Sequence, residues 1–245
     1  MIPTAALLGL ACSTLVACET VMRQAWVEVS EPAESEALVA LPSSWGGGDA
    51  GLRVRFHDRS EIEEYAAYEA AGARAELFHA ATIDDRYALE DGLNIEKALD
   101  LFAYPSGRVH ALGPSAAVEV GRASVFHRRF EIAAEQRACI GLKAAWDEVS
   151  YDPRHRPARL LVGYYCAAPN VALDDASIER LVGDLRIKPP PDAAPRDTPE
   201  AARDALFRRA RGDDTEAARG VPDFPLRLAR RYQDEDGTDA PDLAH

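Results

Sequence analysis

Four stretches rich in branched and aromatic residues follow one another through the middle of the chain, at 118–120, 123–132, 138–142 and 159–166, with short polar breaks between them. Runs of this length and composition bounded by turn residues specify strands, and such short connections specify antiparallel pairing. Within 123–132, Phe126, Phe130 and Ile132 fall in one alternating set with Arg128 as the exception. His127, Arg129 and Glu131 form the other set. That pattern predicts an antiparallel sheet that is apolar on one face and wet on the other.

The flanking sequence adds elements to this sheet. Short strands are expected at 27–29 and 37–40, and Leu52-Arg53-Val54-Arg55-Phe56 alternates as a half-buried strand should. Ser60 followed by Glu61, Glu63 and Glu64 reads as a capped helix start near Tyr65, interrupted by Gly72. Residues 75–83 suit a strand, although their alanines also suit a helix. A helix is expected over 93–102, ending before Pro105-Ser106-Gly107, and another over 174–185, where Ile178, Leu181, Val182 and Leu185 make one stripe behind Asp174 and Asp175. The predicted class is α+β: an antiparallel β-sheet packed against one or two helices.

The length of 245 residues, 47% of them hydrophobic, suits one domain of roughly 130–150 residues plus extra segments. We place a tether and N-terminal strands at 18–50 and the α+β domain at 51–187. From 188 to 245 the composition shifts, opening with Pro189-Pro190-Pro191, to a Pro- and charge-rich tail expected to be disordered. The alternative for the tail is partner docking through Leu206, Phe207, Phe224 and Leu226. With 28 Lys and Arg against 41 Asp and Glu, the net charge of -13 repels phosphate backbones, so no nucleic-acid partner is expected.

Residues 2–21 contain no Lys or Arg and one acid, Glu19, and the apolar run 5–11 has the length of a signal-peptide core. It leads into Leu15-Val16-Ala17-Cys18, where small residues before a cut and a cysteine after it suit a signal peptidase and lipid attachment. This segment resembles the lipobox of bacterial lipoproteins. The resemblance implies that 1–17 is a signal peptide, that cleavage precedes Cys18, and that Cys18 receives diacylglycerol on sulfur and an acyl group such as palmitate on its amine. Glu19 after the cysteine implies outer-membrane sorting on the periplasmic side, with the membrane as first partner and an envelope protein as second. An uncleaved helix over 5–22 is the alternative, marginally long against the ~20 residues a span requires. Export places Cys139 and Cys166 in an oxidising compartment, where two body cysteines are expected to form a disulfide; two buried free thiols are the alternative.

Catalytic signatures are missing from the sequence. His57, His79, His110, His127, His155 and His245 never recur at i, i+4, and no phosphate loop, dinucleotide fingerprint or Gly-x-Ser-x-Gly occurs. His57 with Asp58, and His79 with Asp84 and Asp85, are the nearest acid/base candidates, each expected first to be polar groups facing solvent. No metal or cofactor is expected. The basic stretch 152–159, carrying Arg154, His155, Arg156 and Arg159, stands out in an acidic chain as a candidate recognition loop, with a solvated turn as the plainer reading. The expected function is a non-catalytic binding or envelope-assembly module; the competing reading is a periplasmic hydrolase whose site forms only in space.

Overall fold

The computed structural model describes residues 28–42, 45, 51–57, 60–83, 88–89, 94–100, 102–109, 112–149 and 152–189. The segments carrying Cys18, Asp58, Asp84, Asp85, His110 and the tail beyond 189 lie outside the described residues. Ten strands are seen among those described: β1 (Glu28–Ser30), β2 (Val39–Ala40), β3 (Leu52–His57), β4 (Glu61–Ala70), β5 (Ala73–Thr82), β6 (Ser115–Val120), β7 (Ala123–Ile132), β8 (Arg137–Glu148), β9 (Pro157–Cys166) and β10 (Arg186–Ile187). Two α-helices accompany them, α1 (Ile95–Leu99) and α2 (Asp175–Gly183). Eight strands form one antiparallel sheet in the order β1-β3-β4-β5-β9-β8-β7-β6, and β2 pairs with β10 to one side. The predicted α+β class, with the sheet against two helices, is the observed one.

Strand alternation divides the core in two. On one face, Phe56, Tyr65, Phe78, Val162 and Phe130 pack under α1 with Phe102 and Tyr104. On the other, Leu77, Leu161, Ile140, Leu142 and Val125 pack under α2 with Val39, Leu41 and Trp45. The expectation of one wet face is therefore corrected, because each helix shields a different face. Each helix starts on a side-chain cap: Asn94 accepts from the Lys97 amide at 2.9 Å and Asp174 from the Ser177 amide at 2.8 Å. Ile178, Leu181 and Val182 of α2 are buried, as the stripe predicted; burying one such side chain contributes about 1.5–3 kcal/mol.

Two sequence expectations fail for the same reason, the position of the covering elements. The helix expected from Ser60 is strand β4, whose residues 61–68 are buried on both faces between β3 and β5. Its glutamates are not first-turn acids but core side chains with partners inside the protein. Phe126, placed with the buried set, is 47% exposed. It lies on the α1 face where α1 no longer reaches, while His127 on the opposite face is buried beneath α2.

The disulfide Cys139–Cys166 is present, joining residues directly opposite each other on β8 and β9 with Cα atoms 4.1 Å apart. Both cysteines are buried in the α1-side core. No described helix is long and apolar enough to cross a membrane.

Candidate functional site

The basic stretch forms the connection from β8 to β9, and the structure brings its charges together with acids of the same hairpin. The Arg156 amide and Nε donate to Asp152 Oδ2 at 2.8 and 2.9 Å, and these bonds draw the Asp152 carboxyl down to about 2. Arg159 Nε meets Asp147 Oδ2 at 3.0 Å, and the other oxygen of Asp147 meets Arg122 at 2.8 Å. His155 Nδ1 lies 3.2 Å from Glu148. Arg154 is exposed and contributes only its amide, to Asp152 at 3.4 Å. The singled-out residues thus form a self-neutralising turn, with Arg154 at its tip.

A second ionic cluster was not legible in the sequence. Arg53 and Arg55 project from β3 to the α2 face and are buried, although their alternation with Leu52, Val54 and Phe56 suggested a solvent face. Glu64 of β4 receives both: Arg53 at 2.7 Å on Oε1, and Arg55 at 2.6 and 3.0 Å on Oε2. The amides of Leu38 and Val39 also donate to Glu64, and the two arginines donate to the carbonyls of Val39 and Glu36. Arg53 further contacts Glu34 and the Tyr68 hydroxyl, each at 2.7 Å. A carboxylate so fully engaged has no free lone pair for proton transfer. Its work is to clamp residues 34–41 over the sheet, and it pairs the buried charges of Arg53 and Arg55. The signal that could have found it is the opposite charge of Arg53/Arg55 and Glu63/Glu64 on neighbouring elements.

A third polar group lies on the α1 face towards the disulfide. Glu76 accepts from the Tyr65 hydroxyl at 2.7 Å and the Tyr164 hydroxyl at 2.5 Å. Burial, then the charge of Glu76, pushes the Tyr164 phenol well above its usual range. Tyr104 stacks on Tyr164, carries Arg74 over its ring at 4.2 Å, and donates to Glu135 at 2.5 Å. Burial and that bond raise the Tyr104 phenol to about 12. Glu135 also receives Arg108 and Arg137, while Arg137 donates to the Gly72 and Ala167 carbonyls, tying together three turns at this end.

Beside those turns, two hollows open around the apolar segment Val171-Ala172-Leu173. The larger, about 520 Å³, is lined by Gly113, Arg129, Phe130, Glu131, Ala133, Ala138, Cys139, Ala172 and Leu173. The smaller, about 320 Å³, runs past Trp45, Tyr165, Ala167, Leu173 and Leu181. Trp45 and Tyr165 meet edge to face with centroids 4.5 Å apart. Val171, between the hollows, is 50% exposed. Such concave, largely apolar surfaces with a guanidinium at the margin suit a ligand or peptide side chains better than proton chemistry. They were not legible in the sequence because their linings come from segments far apart along the chain.

The histidines do not converge. His79 is fully buried on the α2 face, not at the surface as expected; His57 and His127 are buried as well, and His155 is exposed. Among the described residues no group of three His, Cys, Asp or Glu side chains could hold a metal ion. Comparison with family models, with curated proteins and with solved structures gave no match.

Proposed function

We propose that this chain is an exported binding module, anchored by lipid on Cys18 and engaging an envelope partner through the hollows at the disulfide end of its sheet. The observation that carries the reading is the pair of hollows flanking Val171-Ala172-Leu173, whose apolar lining and exposed Val171 offer more non-polar surface than a solvated turn requires. The disulfide stiffens the floor of the larger hollow, since Cys139 lines it. A preformed concave surface on a braced sheet loses little entropy on binding.

The anchor fits the same reading. From Cys18 to Glu28 there are ten chain steps, which span at most about 36 Å, so a lipid on Cys18 keeps the body close to the bilayer. Two or more acyl chains, at about 0.8 kcal/mol per buried methylene, make that attachment stable. The test is a photo-crosslinking residue placed at position 172 of the full chain in cells, with mass spectrometry of the adduct and of the mature N-terminus. A single envelope protein trapped at 172, lost with Cys18→Ala, is the expected result. An unmodified Cys18, or no adduct from the anchored chain, overturns it.

A further inference from the structure

Among the described residues, the edge of the main sheet formed by β6 is open: β7 is its one sheet neighbour there. Ser115, Ala116, Ala117 and Glu119 are exposed, and the strand contains no proline or lysine and a single charge, Glu119. Natural sheet edges are commonly blocked by such residues, by bulges or by shortness, because a bare row of amides and carbonyls templates pairing with another chain.

We infer that β6 pairs antiparallel with β6 of a second copy, about a two-fold axis through Ala117, making one continuous sheet of two chains. The register follows from charge. On the α1 face, β6 presents Ser115, Ala117 and Glu119 opposite Arg128, Phe126 and Ser124 of β7. An axis at Ala117 puts Glu119 of the second copy opposite Ser115, one strand from Arg128. Arg128 donates to the carbonyls of Gly113 at 2.8 Å and Leu112 at 3.3 Å, which hold its guanidinium over the start of β6, beside that place. The symmetry makes the same pair twice. It also sets Ala117 against Ala117 between the two half-exposed Phe126 rings, where small side chains leave room for both rings to be covered. An axis at Glu119 would instead oppose two carboxylates, which is unfavourable. On the other face of β6, α2 packs over Val118 and Val120, its Gly183 approaching Val118, so growth is directed along the sheet plane. An axis along the sheet normal turns the same face of both copies to the same side, which allows both to be tethered to one bilayer. The pairing does not depend on the hollows at the disulfide end.

The test is oxidative cross-linking of the full chain in membranes, with non-reducing electrophoresis and the wild type run alongside as the background of its own thiols. Residues directly opposite in an antiparallel pair lie within disulfide range. Ala117→Cys is expected to run mostly as a reducible dimer, Glu119→Cys to stay at the wild-type level, and the double variant Ser115→Cys/Glu119→Cys to restore the dimer. The double variant reports the register independently should Ala117→Cys fail to fold. Wild-type levels of dimer in both Ala117→Cys and the double variant, or equal cross-linking by Glu119→Cys alone, overturn the proposal.

Discussion

At the scale of single residues, the clearest physical oddity is His79. It is fully buried, its ring tilted against Trp146 with centroids 5.7 Å apart, and neither ring nitrogen has a hydrogen-bond partner. Burial, reinforced by the charges of Arg159 and Arg55, lowers its pKa from 6.5 to about 3. The folded chain therefore keeps the ring neutral at pH values where the unfolded chain protonates it. Because the folded pKa lies below the unfolded one, this contribution to stability is complete above about pH 6.5. It is lost by up to ~1.4 kcal/mol per pH unit as pH falls towards about 3. His79→Leu removes both the titration and two unbonded buried nitrogens. The variant is expected to be at least as stable as wild type at pH 7, with a gain of about 1–3 kcal/mol, and to lose stability less steeply between pH 6.5 and 4. Urea titrations across that range measure both; a wild-type slope in the variant would assign the acid sensitivity to other groups.

At the scale of elements, strands with alternating or continuous β-branched content were legible, and so were both helices, α2 from its apolar stripe behind Asp174 and α1 from the helical spacing within 93–102, although α1 is only Ile95–Leu99. The strand β4 was not, since Glu61, Glu63 and Glu64 have the composition of a helix start, and the buried pairing of Glu64 with Arg53 and Arg55 exists only once β3 and β4 lie side by side. Nor were the close approaches that set the strand spacing. A Cβ on Gly163 of β9 would stand 2.4 Å from the Glu76 carbonyl oxygen and 2.7 Å from Leu77 Cδ2. A Cβ on Gly141 of β8 would meet Ile95 Cγ2 at 2.7 Å and Leu99 Cδ1 at 3.0 Å, the underside of α1. The first obstacle is backbone inside the sheet, whereas the second is side chain on a five-residue helix that can shift. Gly163→Ala is accordingly expected to cost at least the ~1–3 kcal/mol typical of overpacking, and Gly141→Ala less. Equal losses in thermal or urea unfolding would mean that β5 and β9 separate as easily as α1 lifts.

At the scale of the whole molecule, the described residues close on themselves where the segment before the sheet meets the strand that follows α2. The clamp of Glu64 on Arg53 and Arg55 holds residues 34–41 over the sheet, and β2 within that segment pairs with β10, the last strand described. Between these ends, Cys139 and Cys166 join two strands in the middle of the sheet, 27 residues apart in sequence. In the sequence this pair was readable only as an expectation, through the export that the lipobox-like segment implies, while the direct opposition of the two residues follows from a hairpin register that composition does not encode. Loop-closure entropy for such a separation stabilises the fold by about 3–4 kcal/mol, if the unfolded chain is otherwise unconstrained. That is a large part of the ~5–15 kcal/mol that holds a domain together. Cys139→Ala/Cys166→Ala should therefore lower the unfolding free energy of the full chain by about 3–4 kcal/mol, and wild type unfolded in reductant should match the variant. The alternative is physical as well: the crosslink closes a hairpin, and a hairpin persisting in the unfolded chain would already have lost the entropy that the disulfide removes. A loss well under 1 kcal/mol in the double variant, with an unchanged denaturant slope, would assign the constraint to that residual hairpin and leave the disulfide a guard against strand exchange.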